Sequence, residues 1–372
     1  MAALLTQLAE LSRTYGSNSD YVVAGGGNTS CKTAETIWVK ASGFPLATIT
    51  EEGFAALDRG KLREIAEKSY SQDPIERESQ IKDDLFRSNR YPEKGLRPSV
   101  ETSLHDAMDY TFVLHTHPTV VNGLLCSRNA EERVKELFGE EALYVPYTDP
   151  GYTLFKLVME RIQAYRQKYD REPAVILIQN HGVFVGAESV EEINARHEEV
   201  VTTVSREVSE TPDQAPLDSS SGLEEVLPAL RMMLSGDSLK VLRYRRNRLI
   251  EHFAASENAF QKVSKPFTPD HIVYCKAQPL YVDTVESAED ICAQLAERLG
   301  KYREKYGYDP KVIMLKDIGL VAAEETAKDA DTVLDVYEDL LKISMFSENF
   351  GGPDFLSDEE IAFIDNWEVE NY

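Results

Sequence analysis

Residues 174–186 read AVILIQNHGVFVG, and 137 positions later residues 311–323 read KVIMLKDIGLVAA. Each stretch is an apolar run, a short turn that ends in glycine and a second apolar run, which predicts two strands joined by a tight turn. The gap-free matches are Tyr169 with Tyr306, Pro173 with Pro310, Val175 with Val312, Gly182 with Gly319 and Glu188 with Glu325. We interpret the second half of the chain as a diverged copy of the first. The alternative is two unrelated strand–turn–helix units with similar propensities.

Length and composition predict two globular domains. The 372 residues exceed one ordinary core, and a 42% hydrophobic, 28% charged composition is typical of globular proteins. Residues 209–222, SETPDQAPLDSSSG, form a candidate linker, so we expect domains at 1–215 and 223–372. In the first domain, strand-length apolar runs alternate with helical patterns, which indicates an α/β or α+β layered fold. Beyond the linker, residues 227–256 predict helices and residues 271–283 a strand.

The charge and the cysteines narrow the choice of partners and compartment. A net charge of −24 and a pI near 4.8 argue against nucleic acid and anionic membranes as partners. A small anionic substrate stays possible, because local backbone N–H groups can hold a phosphate. The four cysteines are scattered without framework spacing, which favours reduced thiols. Residues 1–16 have neither a basic n-region nor a sustained apolar run, so we expect a cytoplasmic protein without a signal peptide or anchor.

The placement of the histidines is the most informative feature for the chemistry of the protein. His115 and His117 lie in FVLHTHP, and residues two apart on a strand project from the same face. Two imidazoles from one strand with a third from elsewhere can hold a catalytic divalent metal; the alternative is a pair of half-buried, hydrogen-bonded histidines. His197, on a predicted helix beside two glutamates, is a candidate third ligand. In NHG, Asn180 and Gly182 around His181 predict a turn with a positive φ angle.

The second half of the chain lacks these histidines. A weaker similarity aligns TFVLHTHPTVV with HIVYCKAQPLYV on Pro118 and Pro279. On these alignments the histidine positions fall on Lys276 (from His115), Gln278 (from His117) and Leu334 (from His197). We therefore expect the chemistry to lie entirely in the first domain.

Glu101 and two glycine-containing segments are further candidates. Glu101 lies at the predicted start of a helix, where a carboxylate is either a helix cap or, near a metal, a general base. AGGGNTSCK (24–32) and VKASG (39–43) could hold an anion on consecutive N–H groups, although a tight turn explains the glycines equally well. Neither segment fits a nucleotide-binding motif.

Taken in order, GGGNTS, KASG, PSVET-x-x-H, H-T-H-P, NHG and the later helical histidine resemble the class II aldolase/adducin family over about residues 10–205. A longer resemblance, including TPDHI and the NWEVE segment at 366–370, is to the aldolase half of the bifunctional rhamnulose-1-phosphate aldolase/alcohol dehydrogenase type. The sequence ends at Tyr372, so we expect no dehydrogenase domain.

The resemblance implies an αβα domain around a mostly antiparallel central sheet, assembled as a homotetramer. It implies an aldolase that uses a zinc ion, or another divalent metal such as Mn²⁺ or Co²⁺. The implied reaction cleaves a ketose 1-phosphate to dihydroxyacetone phosphate and an aldehyde. The implied site residues are the metal ligands His115, His117 and His197, the acid/base Glu101, and the phosphate contacts Asn28, Ser42, Gly43 and Ser99. Tyr147, with Tyr152 as an alternative, is the candidate for assisting the leaving aldehyde.

Other functions fit parts of the same pattern. Val100 stands where members with a well-defined phosphate site often have a hydroxyl, so the phosphate could be held differently or the substrate could differ. PSVET-x-x-H also resembles pentulose-5-phosphate 4-epimerases, and a non-catalytic, adducin-like interaction protein would share the fold. For the second domain, read as a degenerate copy, we expect a structural, oligomer-forming or docking role, including the docking of a separate dehydrogenase.

Overall fold

The computed structural model describes residues 2–220, 222–236, 238–283 and 287–365, and the NWEVE segment lies outside them. The chain divides into two compact units at Val208/Ser209, and the second unit also contains Cys126–Arg128. The boundary thus precedes the predicted linker, because the linker is bonded to the second unit. The contacts are an isolated bridge between Pro216 and Asn247, Leu217 N–H to Arg246 O at 3.2 Å, and Arg248 N–H to Ala215 O at 3.1 Å.

The first unit is built around one large sheet. Its strands are β1 (Asn28–Lys32), β2 (Thr36–Lys40), β3 (Phe54–Asp58), β4 (Phe112–Thr116), β5 (Leu143–Val145), β6 (Val175–Ile178) and β7 (Gly182–Ala187). Its helices are α1 (Ala2–Gly16), α2 (Arg59–Glu67), α3 (Pro74–Arg87), α4 (Thr102–Ala107), α5 (Thr119–Leu125), α6 (Ala130–Phe138), α7 (Tyr152–Tyr169) and α8 (Val190–Ser205). The strand order among the described residues is β3-β2-β1-β4-β7-β6-β5, antiparallel except for the β5–β6 pair. The predicted α/β fold with a mostly antiparallel sheet is confirmed.

Successive side chains of β4 point to opposite faces of the sheet, and each face is covered by its own layer of helices. Val113 packs with side chains of α4 and α7 on one face, which is also the face of His115. Thr116 points to the other face, where its hydroxyl meets α8. On that same face, Ser12 of α1 is hydrogen-bonded to Thr29 of β1 at 2.7 Å. The sheet is therefore the middle of three layers, and the start of α4 shares a face with His115.

The second unit has a smaller sheet. Its strands are β8 (Val241–Arg245), β9 (Leu280–Val282), β10 (Val312–Leu315) and β11 (Gly319–Glu324), in the order β8-β11-β10-β9. Its helices are α9 (Leu223–Leu234), α10 (Arg248–Ala254), α11 (Glu257–Phe260), α12 (Pro269–Cys275), α13 (Ala288–Tyr306), α14 (Ala327–Ser347) and α15 (Asp358–Asp365). Only the β9–β10 pair is parallel among these strands, as β5–β6 is in the first unit.

The two sheets share one module with a constant offset of 137 positions. Leu143–Val145 and Leu280–Val282 have the same sequence, LYV, and each pairs in parallel with the same register. The ring pairs Tyr165–Tyr169 and Tyr302–Tyr306 have the same centroid separation of 4.7 Å. Asn180 and Asp317 both adopt positive φ angles, of 52° and 60°. Equivalent turns, strand registers and ring pairs support the interpretation of the second unit as a diverged copy.

The sheet pairings correct the weaker alignment. Residues 269–275 are helical, so HIVYC is not the counterpart of the strand FVLHT. The strand that pairs with β11 as β4 pairs with β7 is β8, which lies within a segment expected to be helical. Phe184 pairs with His115, and its counterpart Val321 pairs with Tyr244. Tyr244 and Arg246, rather than Lys276 and Gln278, therefore stand in the places of His115 and His117.

The arginines of the segment around β8 are ion-paired. Arg243 contacts Asp331 at 3.0 Å, and Arg245 contacts both Asp335 and Glu338 at 2.7 Å. Each of these carboxylates lies on α14. Charged side chains on an edge strand also disfavour pairing with another strand. The arginine-rich sequence is thus an ion-paired surface.

Gly319 gives a test of the shared turn. Its φ of 141° is rarely available to other residues, and a Cβ there would lie 2.7 Å from the Arg245 carbonyl oxygen. We expect Gly319→Ala to lower the free energy of unfolding by about 2–3 kcal/mol, measured from the urea-unfolding midpoint. Gly300→Ala, in α13 with open space around it, is the control and should be neutral or stabilising. Equal midpoints for the two variants would contradict this view of the turn.

Candidate active site

Strand β4 brings its two histidines together at its carboxyl end. His115 lies within the strand and is fully buried, and His117 follows the last strand residue, Thr116. The Nε2 atoms of His115 and His117 are 2.9 Å apart. This is the same-face arrangement that the H-x-H spacing predicts.

A third imidazole comes from the turn between β6 and β7. The Nε2 atom of His181 lies 3.2 Å from His115 Nε2, and the His181 side chain is 13% exposed. The three histidines each offer one ligand atom, and these atoms all lie within 4.8 Å of one another. The cluster arises because β7 pairs with β4, so that the turn preceding β7 lies beside the residues that follow β4. Three converging imidazoles, one buried and two partly exposed, form a donor set suited to a divalent metal.

Glycine at position 182 is a steric requirement of this cluster. A Cβ on Gly182 would lie 2.6 Å from the Thr116 carbonyl oxygen and 2.7 Å from His117 Cδ2. A larger residue would therefore push the turn away from β4. The glycine of the NHG motif allows close approach of the turn to the strand.

The protonation state of His115 fits a metal ligand. Its Nδ1 lies 3.0 Å from the Val183 carbonyl oxygen, which can only accept a hydrogen bond, so Nδ1 carries the proton. Burial lowers the pKa of His115 to about 4, although the Glu101 carboxylate acts in the opposite direction. The ring is consequently neutral at pH 7, and its Nε2 presents a lone pair to the other imidazoles.

Glu101 lies at the same point. Its Oε1 is 3.2 Å from His115 Nε2 and 3.3 Å from His181 Nε2. Glu101 precedes α4 but makes no side-chain capping bond, so the helix-cap interpretation does not hold. Burial alone would raise the pKa of Glu101, yet the positive charges and hydrogen bonds that protonated His115 and His181 rings would supply in acid outweigh it and hold that pKa well below its usual value. A lone pair of neutral His115 thus faces an ionised carboxylate, a contact that a cation between them would relieve.

The candidate phosphate residues fall into two groups. Asn28 pairs with His115 across β1 and β4, and its amide donates to Ser99 Oγ at 2.7 Å and to Glu101 Oε2 at 3.2 Å. Ser42 and Gly43 follow β2, where Ser42 N–H donates to Arg97 O at 3.0 Å. The structure thus brings Asn28 and Ser99 to Glu101, and it brings the Ser42 backbone alongside the segment that leads to Ser99.

Tyr147 lies near the turn that carries His181. It follows β5, and its backbone N–H donates to the Gln179 side chain at 3.3 Å. Tyr152 lies at the start of α7, and its hydroxyl donates to the Lys68 carbonyl oxygen at 3.1 Å. Of the two candidates, Tyr147 is the one bonded to the turn of His181.

His197 does not join the cluster, contrary to the sequence-based expectation. It lies on α8, and its Nε2 is 2.9 Å from the hydroxyl of Thr116, which points to the opposite face of β4 from His115. Its ring packs edge-on against Tyr15 and Tyr21, with centroids 4.6 and 4.8 Å away. Burial lowers the pKa of His197 to about 4, so it is a neutral packed side chain. The geometry favours His181 in its place.

One signal in the sequence pointed to His181. In the repeated stretch the first copy has histidine and the second has Ile318 at the same turn position, while the glycine after it is kept. A turn that is otherwise preserved but differs in its imidazole marks that residue as specific to the first unit. His197 was a candidate only because the two strand histidines needed a third donor and the family resemblance implied one on the following helix.

Similarity to known proteins extends over most of the chain. Residues 6–207 match the family described as class II aldolase and adducin N-terminal domain, and residues 221–308 match aldolase class II, second domain. The first match covers more than half of the chain. The chain belongs to the class II aldolase and adducin family.

Individual relatives are more distant. A Bacillus subtilis (strain 168) protein named uncharacterized oxidoreductase YuxG is 24% identical over a 408-residue alignment, which covers 98% of this chain and 57% of that protein. The chain therefore spans little more than half of that relative's length. The N-terminal class II aldolase domain of a conserved Thermoplasma acidophilum protein is 28% identical with a TM-score of 0.47, covering 54% of this chain and 91% of that one. L-fuculose-1-phosphate aldolase from Thermus thermophilus is 15% identical with a TM-score of 0.36, covering 55% and 93%.

The helices of the described residues do not meet the requirements of a membrane span. Within residues 2–220, 222–236, 238–283 and 287–365, none is both long and apolar enough to cross a bilayer.

The choice between His181 and His197 can be tested directly. We expect His181→Ala to weaken Co²⁺ binding by more than about 100-fold, because a ligand is lost rather than a supporting contact. His197→Ala should change the affinity less than about tenfold, because His197 only packs behind the strand. Isothermal titration of the metal-free proteins measures both affinities, and thermal unfolding without metal separates the packing cost. The opposite order of the two affinities would restore His197 as the ligand.

Proposed function

We propose that the first unit is a divalent-metal-dependent aldehyde-lyase that cleaves a ketose 1-phosphate, similar to rhamnulose 1-phosphate, into dihydroxyacetone phosphate and an aldehyde. The observation that carries the proposal is the convergence of three imidazole Nε2 atoms with the carboxylate of Glu101. Family membership supports the same reaction class.

His115, His117 and His181 are the proposed ligands of the metal, with Zn²⁺ as the first choice and Mn²⁺ or Co²⁺ as alternatives. His181 replaces His197 in this set. When bound, the metal would act as a Lewis acid that stabilises negative charge on the substrate oxygens as the C3–C4 bond breaks. The neutral His115 ring with its fixed tautomer suits this role, since a protonated ring cannot donate a lone pair.

Glu101 is the proposed acid/base. In the cleavage direction the C4 hydroxyl loses a proton, the C3–C4 bond breaks, and C3 of the dihydroxyacetone phosphate product gains a proton. The Glu101 carboxylate is ionised and only 18% exposed, and Asn28 holds one of its oxygens. The ionised, oriented Glu101 carboxylate can take up the proton released by the C4 hydroxyl and then deliver it to C3, so the two transfers balance.

The remaining assignments depend on the resemblance more than on the geometry. Asn28, Ser42, Gly43 and Ser99 are the proposed phosphate contacts, and Tyr147 is the proposed group at the leaving aldehyde. Both amide hydrogens of Asn28 are directed at Ser99 and Glu101. Phosphate binding by Asn28 would therefore exchange one of these bonds for a bond to the substrate.

Assembly, location and the role of the second unit complete the proposal. A homotetramer in the cytoplasm is proposed from the resemblance, and light scattering measures the assembly. In the second unit, the places of the three histidines are taken by Tyr244, Arg246 and Ile318. This unit is proposed to be structural, oligomer-forming or a docking element. One docking partner would be an oxidoreductase that acts on the aldehyde, in keeping with the name of the longer relative.

Two substitutions should distinguish the loss of metal binding from the loss of turnover. We expect His115→Ala to lose the metal, and Glu101→Gln to keep it while turnover falls by a factor on the order of 10²–10⁴. Elemental analysis and initial rates measure the two effects. Glu188→Gln, which removes a carboxylate that accepts from the Thr111 hydroxyl, is the matched control and should change neither. Absence of a stoichiometric divalent metal in wild-type protein purified without chelator would overturn the proposal.

The substrate class can be assigned with a panel of ketose 1-phosphates and pentulose 5-phosphates. A lyase releases free aldehyde from a ketose 1-phosphate, and a chelator should abolish that release. An epimerase would instead convert one pentulose phosphate into another without releasing aldehyde. If metal is bound but every substrate is unchanged, the lyase assignment fails. Absence of bound metal would instead support an adducin-like interaction role.

A further inference from the structure

The turn that carries His181 is fixed by helix α5. This helix begins directly after the His117–Pro118 pair, and the Asn122 backbone N–H donates to the Pro118 carbonyl oxygen at 2.8 Å. From the same helix, the Leu125 carbonyl oxygen accepts the Asn180 N–H at 3.2 Å. One short helix thus connects the strand that carries two of the imidazoles with the turn that carries the third.

A side chain of α5 makes the most direct of these contacts. The Asn122 Nδ2 lies 3.2 Å from the carbonyl oxygen of His181, and because a carbonyl only accepts, the amide donates. Asn122 is 1% exposed, and its Oδ1 has no hydrogen-bond partner among the described residues. A buried amide oxygen without a partner is destabilising, so an apolar residue would suit this position better if packing were all that mattered. The N–H bond to His181 is what the asparagine adds.

The second unit also supplies a hydrogen-bond donor to the carbonyl oxygen of its turn, but from a different element. Ile318 stands in the place of His181, and its carbonyl oxygen accepts from the hydroxyl of Tyr244 at 2.7 Å. Tyr244 occupies the strand position that His115 occupies in the first unit. In the first unit that position is used by an imidazole whose Nδ1 is bonded to Val183 and whose Nε2 faces the cluster. His115 cannot also satisfy the turn carbonyl, so the donor must come from another element.

We propose that Asn122 is a positioning residue of the metal centre: its amide fixes the His181 carbonyl, and with it the direction of the third imidazole. This inference rests on the proposed metal site. It assigns a role to a residue that would contact neither metal nor substrate. Supporting residues of this kind typically change metal affinity by about 10–100-fold.

A double-mutant cycle on Co²⁺ affinity tests the proposal, because it separates an effect through His181 from a general loosening of the fold. We expect Asn122→Ala to weaken Co²⁺ binding about tenfold or more and to alter the visible spectrum of bound Co²⁺. In a His181→Ala background the same substitution should have less than about a twofold effect. Asn122→Leu, which removes the donor while adding volume, should repeat both results and distinguishes the lost bond from a cavity.

Tyr244→Phe is the matched control, because it removes the equivalent donor from the unit without histidines; it should leave the Co²⁺ affinity unchanged. The proposal is overturned if Asn122→Ala and Asn122→Leu bind Co²⁺ like the wild type, or if their losses are as large in the His181→Ala background. The proposal is also overturned if the wild type binds Co²⁺ and the Asn122 and Tyr244 variants lose Co²⁺ affinity equally. Failure of the wild type to bind Co²⁺ would overturn the metal site itself.

Discussion

The close approach of the β6–β7 turn to strand β4 is the constraint on which the site depends. At Gly182 a single added carbon would meet the Thr116 carbonyl oxygen at 2.6 Å, so only glycine lets the turn lie against the strand. That contact places His181 beside His115 and His117 and brings three imidazole Nε2 atoms to one point. Gly319 makes the same approach to the Arg245 carbonyl oxygen, although no imidazole is present there. The packing requirement is therefore independent of the chemistry.

The sequence predicted the parts of the site that are set by local geometry. Residues two apart on a strand share a face, which was enough to pair His115 with His117, and a carboxylate at the start of α4 was recognisable from its position. The third imidazole could not be chosen in this way, because it depends on which strand pairs with β4. His181 reaches the cluster through a pairing between residues more than about 60 positions apart, whereas His197 ends on the opposite face.

Two elements of the second unit show where local patterns mislead. The segment around VLRYR has the charge density of a solvated helix, yet its arginines lie on an edge strand and reach the acidic side chains of α14. HIVYC has the composition of a strand, but a capping box at Thr268 and a proline at the first helical position start a helix there. In both cases a tertiary or capping contact outweighs side-chain propensity.

The copied module is only part of the larger sheet. The order β8-β11-β10-β9 reproduces β4-β7-β6-β5, and strands β1, β2 and β3 have no counterpart among the described strands of the second unit. Asn28 lies on β1 and Ser42 follows β2, so the repeated four-strand module does not contain these two positions. The glycine turn is present in both units and the imidazole only in the first, so the repeat preserves the packing of the module without its donor atoms.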